Sequence, residues 1–286
     1  MPPYLHLLRP HQWIKNFFLY LPAFFAQRIT EGLLVGKISL AVIGFSAIAS
    51  SVYIFNDYQD REDDRLHPSK RNRPLAAGTV SINSAFTLFG VLLIMGFSLL
   101  FWVSLQAGYW ALGYLFLNLA YSLFLKQIPI IDLYLIAMGF VIRIALGASV
   151  DAIPLSMWII LMTFLLALFI GLAKRRDDVS LAAEGKNVRK SISGYNLPFI
   201  NGAMMIMASV LIVSYISYTI SADTQEKFSN PYLYVTVFFV ILGILRYMQL
   251  TLVEERSGTP TLILWKDRFL QLTILGWLIS FVVLIY

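Results

Sequence analysis

The chain has 286 residues, of which 58% are hydrophobic and 13% charged, with a formal net charge of +6 and a mean hydropathy of +0.73. A soluble protein exposes far more Lys, Glu, Asp and Arg than this, so the composition excludes a water-soluble enzyme and points to a polytopic, all-α membrane protein. The lack of cysteine excludes a disulfide framework, a thiolate metal site and a cysteine nucleophile. The scattered His6, His11 and His67 argue against a histidine zinc site, and no nucleic-acid partner is expected.

The start, MPPYLHLLRPHQW, lacks the basic opening, apolar core and small-residue cleavage site of a secretory signal, so none is expected. About nine apolar segments of bilayer-crossing length follow. They run roughly over 13–28, 33–55, 80–105, 108–125, 129–150, 154–173, 198–220, 231–252 and 269–286. Helices are the expected form, because lipid leaves backbone groups no other partners. The first segment is the weakest, being short and carrying Lys15, Asn16 and Pro22. Lys15 and Asn16 inside an apolar run suggest an anion site, although a lysine there can also snorkel to headgroups.

The second segment runs into NDYQDREDDRLHPSKRNRP, residues 56–74, where acids and bases crowd together. Asp57, Asp60 and Asp64 are spaced i, i+3, i+7, which on an α-helix places them within an arc of about 60°. Three carboxylates on one face repel each other unless a cation sits between them. Magnesium, a hard ion shared with substrate phosphates, suits that set, and Asn56 can add an amide oxygen. The plainer alternative is a solvated loop with Arg61 and Arg65 pairing off the acids. Lys70, Arg71 and Arg73 come next. They serve either as a membrane-side anchor or as clamps on phosphate oxygens.

Lys126 closes the fourth segment, where a cation also complements the helix dipole. Arg143, in GFVIRIALGA, lies too deep to snorkel and is expected to face the interior and meet an anion or a carboxylate. After the sixth segment, Lys174-Arg175-Arg176-Asp177-Asp178 opens a stretch to Lys190 that is richer in bases than acids. Tyr195, in RKSISGY, is a candidate hydrogen-bond donor to a phosphate or ribose hydroxyl, or an interfacial anchor.

Counted by side, nearly all of the 22 Lys and Arg fall with the N-terminus and the even-numbered loops. Only Arg28, Lys37 and Lys227 fall opposite, with Arg143 and Arg246 inside segments. That bias predicts a cytoplasmic N-terminus and cytoplasmic loops at 56–79 and 174–197, in an inner or plasma membrane.

Asn-Asp-x-x-Asp-x-x-x-Asp after the second segment resembles the UbiA-type membrane prenyltransferase superfamily, over essentially the whole chain. The resemblance implies a single domain, 1–286, forming a helical barrel. In it Asn56, Asp57, Asp60 and Asp64 hold Mg²⁺ on a diphosphate, the aspartates being the catalytic set. The family's second acidic motif is expected near 174–182, where this chain has mostly bases. RPHQWIKN, DRLHPSKRNRP, FVIRIALGA and LAKRRDD resemble the decaprenyl-phosphate phosphoribosyltransferase branch. That branch implies transfer of 5-phosphoribose from phosphoribosyl diphosphate (PRPP) to a polyprenyl phosphate, in arabinofuranosyl donor synthesis for cell-wall polysaccharide. Lys15, Asn16 and Arg143 are then candidates for the acceptor phosphate. Lys70, Arg71, Arg73, Lys126, Lys174, Arg175 and Tyr195 are candidates for the donor. The rival readings are a prenyltransferase moving a prenyl group from a prenyl diphosphate to an aromatic acceptor, and an anion transporter without chemistry.

Overall fold

A computed structural model describes residues 2–66, 70–183, 190–255, 263 and 266–286. His67–Ser69, Lys186 and Arg189, which belong to the charged stretches read above, lie outside the described residues. Among the described residues the secondary structure is entirely helical. Seven helices are long and apolar enough to cross a membrane: Gly32–Gln59, Ile82–Val103, Ile131–Ser149, Met157–Ala183, Leu197–Ile220, Pro231–Leu252 and Arg268–Ile285. The chain is an integral membrane protein.

The expected count of about nine is therefore not reached by helices of that kind. Leu105–Leu123 forms where expected, but Gln106, Asn118 and its Tyr and Trp residues dilute its apolar character. The segment expected at 13–28 is instead a 3₁₀ run, Pro10–Tyr20, followed by a short helix, Leu21–Phe25. Pro10 and Pro22 sit where each piece begins, and proline is tolerated only in a first turn. The run lies against Gly32–Gln59, with Leu19 and Ala23 fully buried in the same core as Ile38, Ala41 and Phe45.

The stretch 174–197 also differs from the loop expected there. Met157–Ala183 continues as helix straight through Lys174–Asp178. Its Arg175 and Arg176 are buried rather than solvated.

The chain divides into two compact units. The first comprises Met1–Lys126 and Met138–Leu155. A close seam joins Gly32–Gln59 to Ile82–Val103 at Gly44 and Gly96. A Cβ at Gly96 would stand 2.7 Å from the Gly44 carbonyl oxygen and 2.6 Å from Ile48 Cγ1. Small residues allow this backbone approach in apolar helix pairs. Gly147 does the same for the 3₁₀ run, since a Cβ there would fall 2.2 Å from the Leu19 carbonyl oxygen.

The second unit comprises Gln127–Ala137 and Ser156–Tyr286. Its core gathers Leu133, Phe169, Leu172, Ile200, Met204, Tyr247 and Leu250. Asn196, Asn230 and Asp267 cap its helical pieces, each side chain accepting from a backbone N–H two or three residues on.

Candidate active site

The acidic stretch begins inside a helix. Gly32–Gln59 carries Asn56 and Asp57 in its last turn, Asp60 caps it, and Arg61–Leu66 resumes the helical path. The Asp64 N–H donates to the Asp60 carbonyl at 2.8 Å across the join, so the one-face spacing survives the break. Asp57 and Asp64 are only 2% and 3% exposed. Arg73 Nη1 donates to Asp64 Oδ2 at 2.7 Å and to Asp57 Oδ1 at 3.1 Å, so the two carboxylates converge on one nitrogen.

Arg9 also donates to Asp57 Oδ1. Its guanidinium lies 5.2 Å from the Tyr53 ring centroid, a favourable cation–π distance. Lys126 bonds Asp60, whose other oxygen accepts from Asn56 Nδ2 at 3.1 Å. Asn56 Oδ1 in turn accepts from Ser122 Oγ at 3.2 Å.

The solvated-loop alternative does not describe this arrangement. Arg61 and Arg65 pair with exposed Glu62, while Asp57, Asp60 and Asp64 take their cations from Arg9, Arg73 and Lys126. Among the described residues no group of three or more His, Cys, Asp or Glu side chains is gathered tightly enough to hold a metal. Lys70 is half-buried and Arg71 exposed in the 3₁₀ turn Lys70–Asn72.

A second cluster in the same unit surrounds Arg143, which is 5% exposed. Its Nε donates to Asn16 Oδ1 at 3.0 Å, Nη1 to the Gly139 carbonyl at 2.7 Å and Nη2 to the Tyr114 hydroxyl at 3.2 Å. Asn16 is held from its other side, Nδ2 donating to Ser46 Oγ at 2.8 Å. The rings of Phe45, Tyr114 and Phe140 lie 5.0–5.4 Å from the guanidinium carbon. Every described partner of Arg143 is neutral, so a buried positive charge is solvated by dipoles and ring faces alone. A buried cation in such surroundings would be stabilised by an anion. Lys15 is half-buried beside Asn16 in the sequence.

The second unit treats its basic segment differently. Arg175 is closed inside the protein, donating from Nε to Asp132 Oδ2 at 2.9 Å and from Nη1 to Asp178 Oδ2 at 2.9 Å, with Nη2 in ion-pair contact 2.7 Å from Asp132 Oδ2. Tyr195 donates to Asp132 Oδ1 at 2.8 Å and accepts from the Ile130 N–H at 2.6 Å. Burial pushes its phenol well above the ordinary tyrosine range, and the Asp132 carboxylate adds to that, so the group stays a donor. Ile130 has a left-handed backbone, φ +70°, held by this contact. Arg176 donates to Asn201 Oδ1 at 3.2 Å and the Thr251 carbonyl at 2.8 Å, tying three helices. Lys174 stays exposed.

Residues 17–282 match the family model described as the UbiA prenyltransferase family. The chain belongs to the UbiA prenyltransferase family. It is 32% identical to decaprenyl-phosphate phosphoribosyltransferase of Mycolicibacterium smegmatis, covering 95% of this chain and 88% of that one. It is 29% identical to the protein of the same name from Corynebacterium glutamicum, covering 98% and 85%. Its fold resembles that of a UbiA homolog from Archaeoglobus fulgidus solved with GPP and Mg²⁺, with TM-score 0.73, 20% identity and 99% of each chain covered.

Sequence reasoning assigned Asn56 and the aspartates to a metal, Lys15, Asn16 and Arg143 to one phosphate, and Lys70, Arg71, Arg73, Lys126, Lys174, Arg175 and Tyr195 to the donor. Within this UbiA-family fold Arg73 and Lys126 meet the aspartates and Asn16 meets Arg143, while Arg175 and Tyr195 turn to Asp132. That reasoning did not single out Arg9, Tyr114, Ser46, Ser122 or Asp132. Arg9 was recoverable, standing in the same RPHQWIKN run as Lys15 and Asn16. Asp132 had a weaker signal, a lone acid opening an apolar helix.

Proposed function

We propose that the chain transfers 5-phosphoribose from PRPP to a polyprenyl phosphate, releasing diphosphate with the help of Mg²⁺, at the cytoplasmic side of an inner or plasma membrane. The observation that carries the reading is the pairing, in one unit, of a buried carboxylate cluster with a buried arginine whose partners among the described residues are all neutral. The first suits a metal-borne diphosphate and the second a separate phosphate. The names of the M. smegmatis and C. glutamicum relatives support the same substrates.

Magnesium fits the donor set. Asp57, Asp60 and Asp64 offer hard oxygens, Asn56 offers an amide oxygen, and a nitrogen of Arg73 already stands as a cation between Asp57 and Asp64. When bound there, the ion would neutralise the diphosphate leaving group. Arg143 and Asn16, with Lys15 nearby in the chain, hold the acceptor phosphate. That phosphate is already an anion, so its oxygen attacks ribose C1 without a general base. The bond from C1 to the diphosphate oxygen breaks as the bond from C1 to the lipid phosphate forms. Positive charge developing at the sugar ring is stabilised by the nearby carboxylates. Lys70, Arg71 and Lys126 hold phosphates of PRPP. Arg175 and Tyr195 act from within the protein, fixing the turn at Ile130–Asp132.

Purified protein in lipid nanodiscs with Mg²⁺ should move label from PRPP to polyprenyl phosphate. Asp57→Ala or Asp64→Ala should abolish transfer, as should EDTA. Transfer that persists in EDTA, or diphosphate release only from a prenyl diphosphate with an aromatic acceptor, would reject this reading for the conventional prenyltransferase one.

A further inference from the structure

We propose that Arg9 and Arg73 are exchange cations: they neutralise Asp57 and Asp64 while the site is empty, and pass to the diphosphate oxygens when a divalent cation takes the carboxylates. This rests on the proposed function for the presence of a metal and a diphosphate, but not on which group the diphosphate leaves.

The argument begins with charge. The acids Asp57, Asp60 and Asp64 are matched by Arg9, Arg73 and Lys126. A divalent cation entering alone would leave that buried cluster two charges too positive. Uncompensated charge away from water is strongly unfavourable. A divalent cation arriving with diphosphate brings its own compensation. The released guanidinium groups then have oxygens to bind, and the planar fork of arginine grips phosphate bidentately.

Geometry gives the arginines the freedom to exchange. Their side chains are 20% and 23% exposed, against 2% for the Asp57 carboxylate they share. Each therefore approaches from the open side. Arg9 has a left-handed backbone, φ 51° and ψ 58°, between the helix Pro3–Leu8 and the 3₁₀ run. Its head rests on the Tyr53 ring, a contact that does not depend on the carboxylate. Arg73 follows the 3₁₀ turn Lys70–Asn72, and its N–H bonds the Lys70 carbonyl at 2.9 Å. Lys126 differs, because it holds Asp60 alone.

The consequence is coupling: metal and diphosphate each bind weakly alone and tightly together. Arginine in the metal's place is a competitor, so its removal must favour the bare metal and disfavour the diphosphate. Mn²⁺, read by electron paramagnetic resonance on protein in nanodiscs, is the metal probe. Inorganic diphosphate is the second ligand.

Wild type should bind Mn²⁺ at least tenfold more tightly with diphosphate present. Arg73→Gln should bind Mn²⁺ alone several-fold more tightly than wild type and lose most of the diphosphate effect. Arg9→Gln should change in the same direction to a smaller extent, and Arg73→Lys should stay near wild type. Asp64→Asn is the control that loses Mn²⁺. Thermal melting of each variant reports folding, and Arg9→Gln provides the reading if Arg73→Gln unfolds. Equal or weaker Mn²⁺ binding by the folded glutamine variants, or no effect of diphosphate on wild type, overturns the proposal. The probes contain neither PRPP nor a lipid phosphate, so failure of PRPP transfer with this coupling intact rejects the proposed function and leaves the exchange standing.

Discussion

Asp132 offers the sharpest test of what holds the second unit together. Its carboxylate accepts from Arg175 Nε, from the Tyr195 hydroxyl and from the Leu133 N–H at 2.9 Å, and lies 2.7 Å from Arg175 Nη2 as an ion pair. Arg175 is 1% exposed. Removing one partner of such a pair leaves an uncompensated buried charge and costs about 3–5 kcal/mol. Asp178 retains a bond to Arg175 at 2.9 Å, which places Asp132→Ala near the lower end. At about 2 °C per kcal/mol for a chain of this size, the melting point should fall by roughly 6 °C.

Intrinsic tryptophan fluorescence during heating, in detergent or nanodiscs, measures the shift. Replacing both partners, as in Asp132→Leu with Arg175→Met, removes the stranded charge. It should recover at least half of the loss, because apolar replacement of a buried pair is often near neutral. A single variant that melts within 2 °C of wild type would refute the reasoning. So would a double variant whose loss equals the sum of the two singles, since contacting residues must couple.

Arg143→Met should behave in the opposite way. Its partners are neutral, so the melting point should move by no more than about 1–3 kcal/mol in equivalent stability, the cost of stranding the Gly139 carbonyl and Asn16 amide. The proposed phosphoribosyl transfer should fall at least a hundredfold, as read by product label. Gly147→Ala should press the 3₁₀ run away from the helix Ile131–Ser149, costing about 1–3 kcal/mol by melting and weakening activity through the displaced Asn16. At the opposite end of the helix Gly32–Gln59 from the aspartates, hydrogen bonds from Arg28 and Lys37 hold the Asp151 carboxyl below the usual carboxylate range. Its contribution to stability is present above the ordinary carboxylate value and is lost as pH falls through the lowered one. Melting curves from pH 6 to 3 should therefore decline less steeply for Asp151→Asn than for wild type.

What the sequence made legible was what depends on neighbours along the chain. The i, i+3, i+7 acids share a face because helix periodicity is local, and one Arg73 nitrogen bridges Asp57 and Asp64 as that face predicts. The depth of Arg143 was equally readable, since the apolar residues flanking it leave no route to water. Partners distant in the chain were not readable. Arg143 meets Asn16 across 127 positions and Arg9 meets Asp57 across 48, and no periodicity announces either contact. Arg175 shows the same limit from the other side. As part of a basic run it suggested a phosphate, but folding supplied two carboxylates and enclosed it. The first apolar segment was hard to read for a different reason. Hydropathy cannot distinguish a spanning helix from a proline-punctuated run whose apolar residues serve an internal core.

The glycine contact between Gly32–Gln59 and Ile82–Val103 bears on where the isoprenoid of the proposed reaction would enter. Where Gly44 and Gly96 meet, main chain touches main chain, and Ile48 and Leu100 fill what remains. No hydrocarbon tail can thread that wall from the bilayer. On the proposed function, a polyprenyl phosphate would have to reach the aspartates by some other doorway.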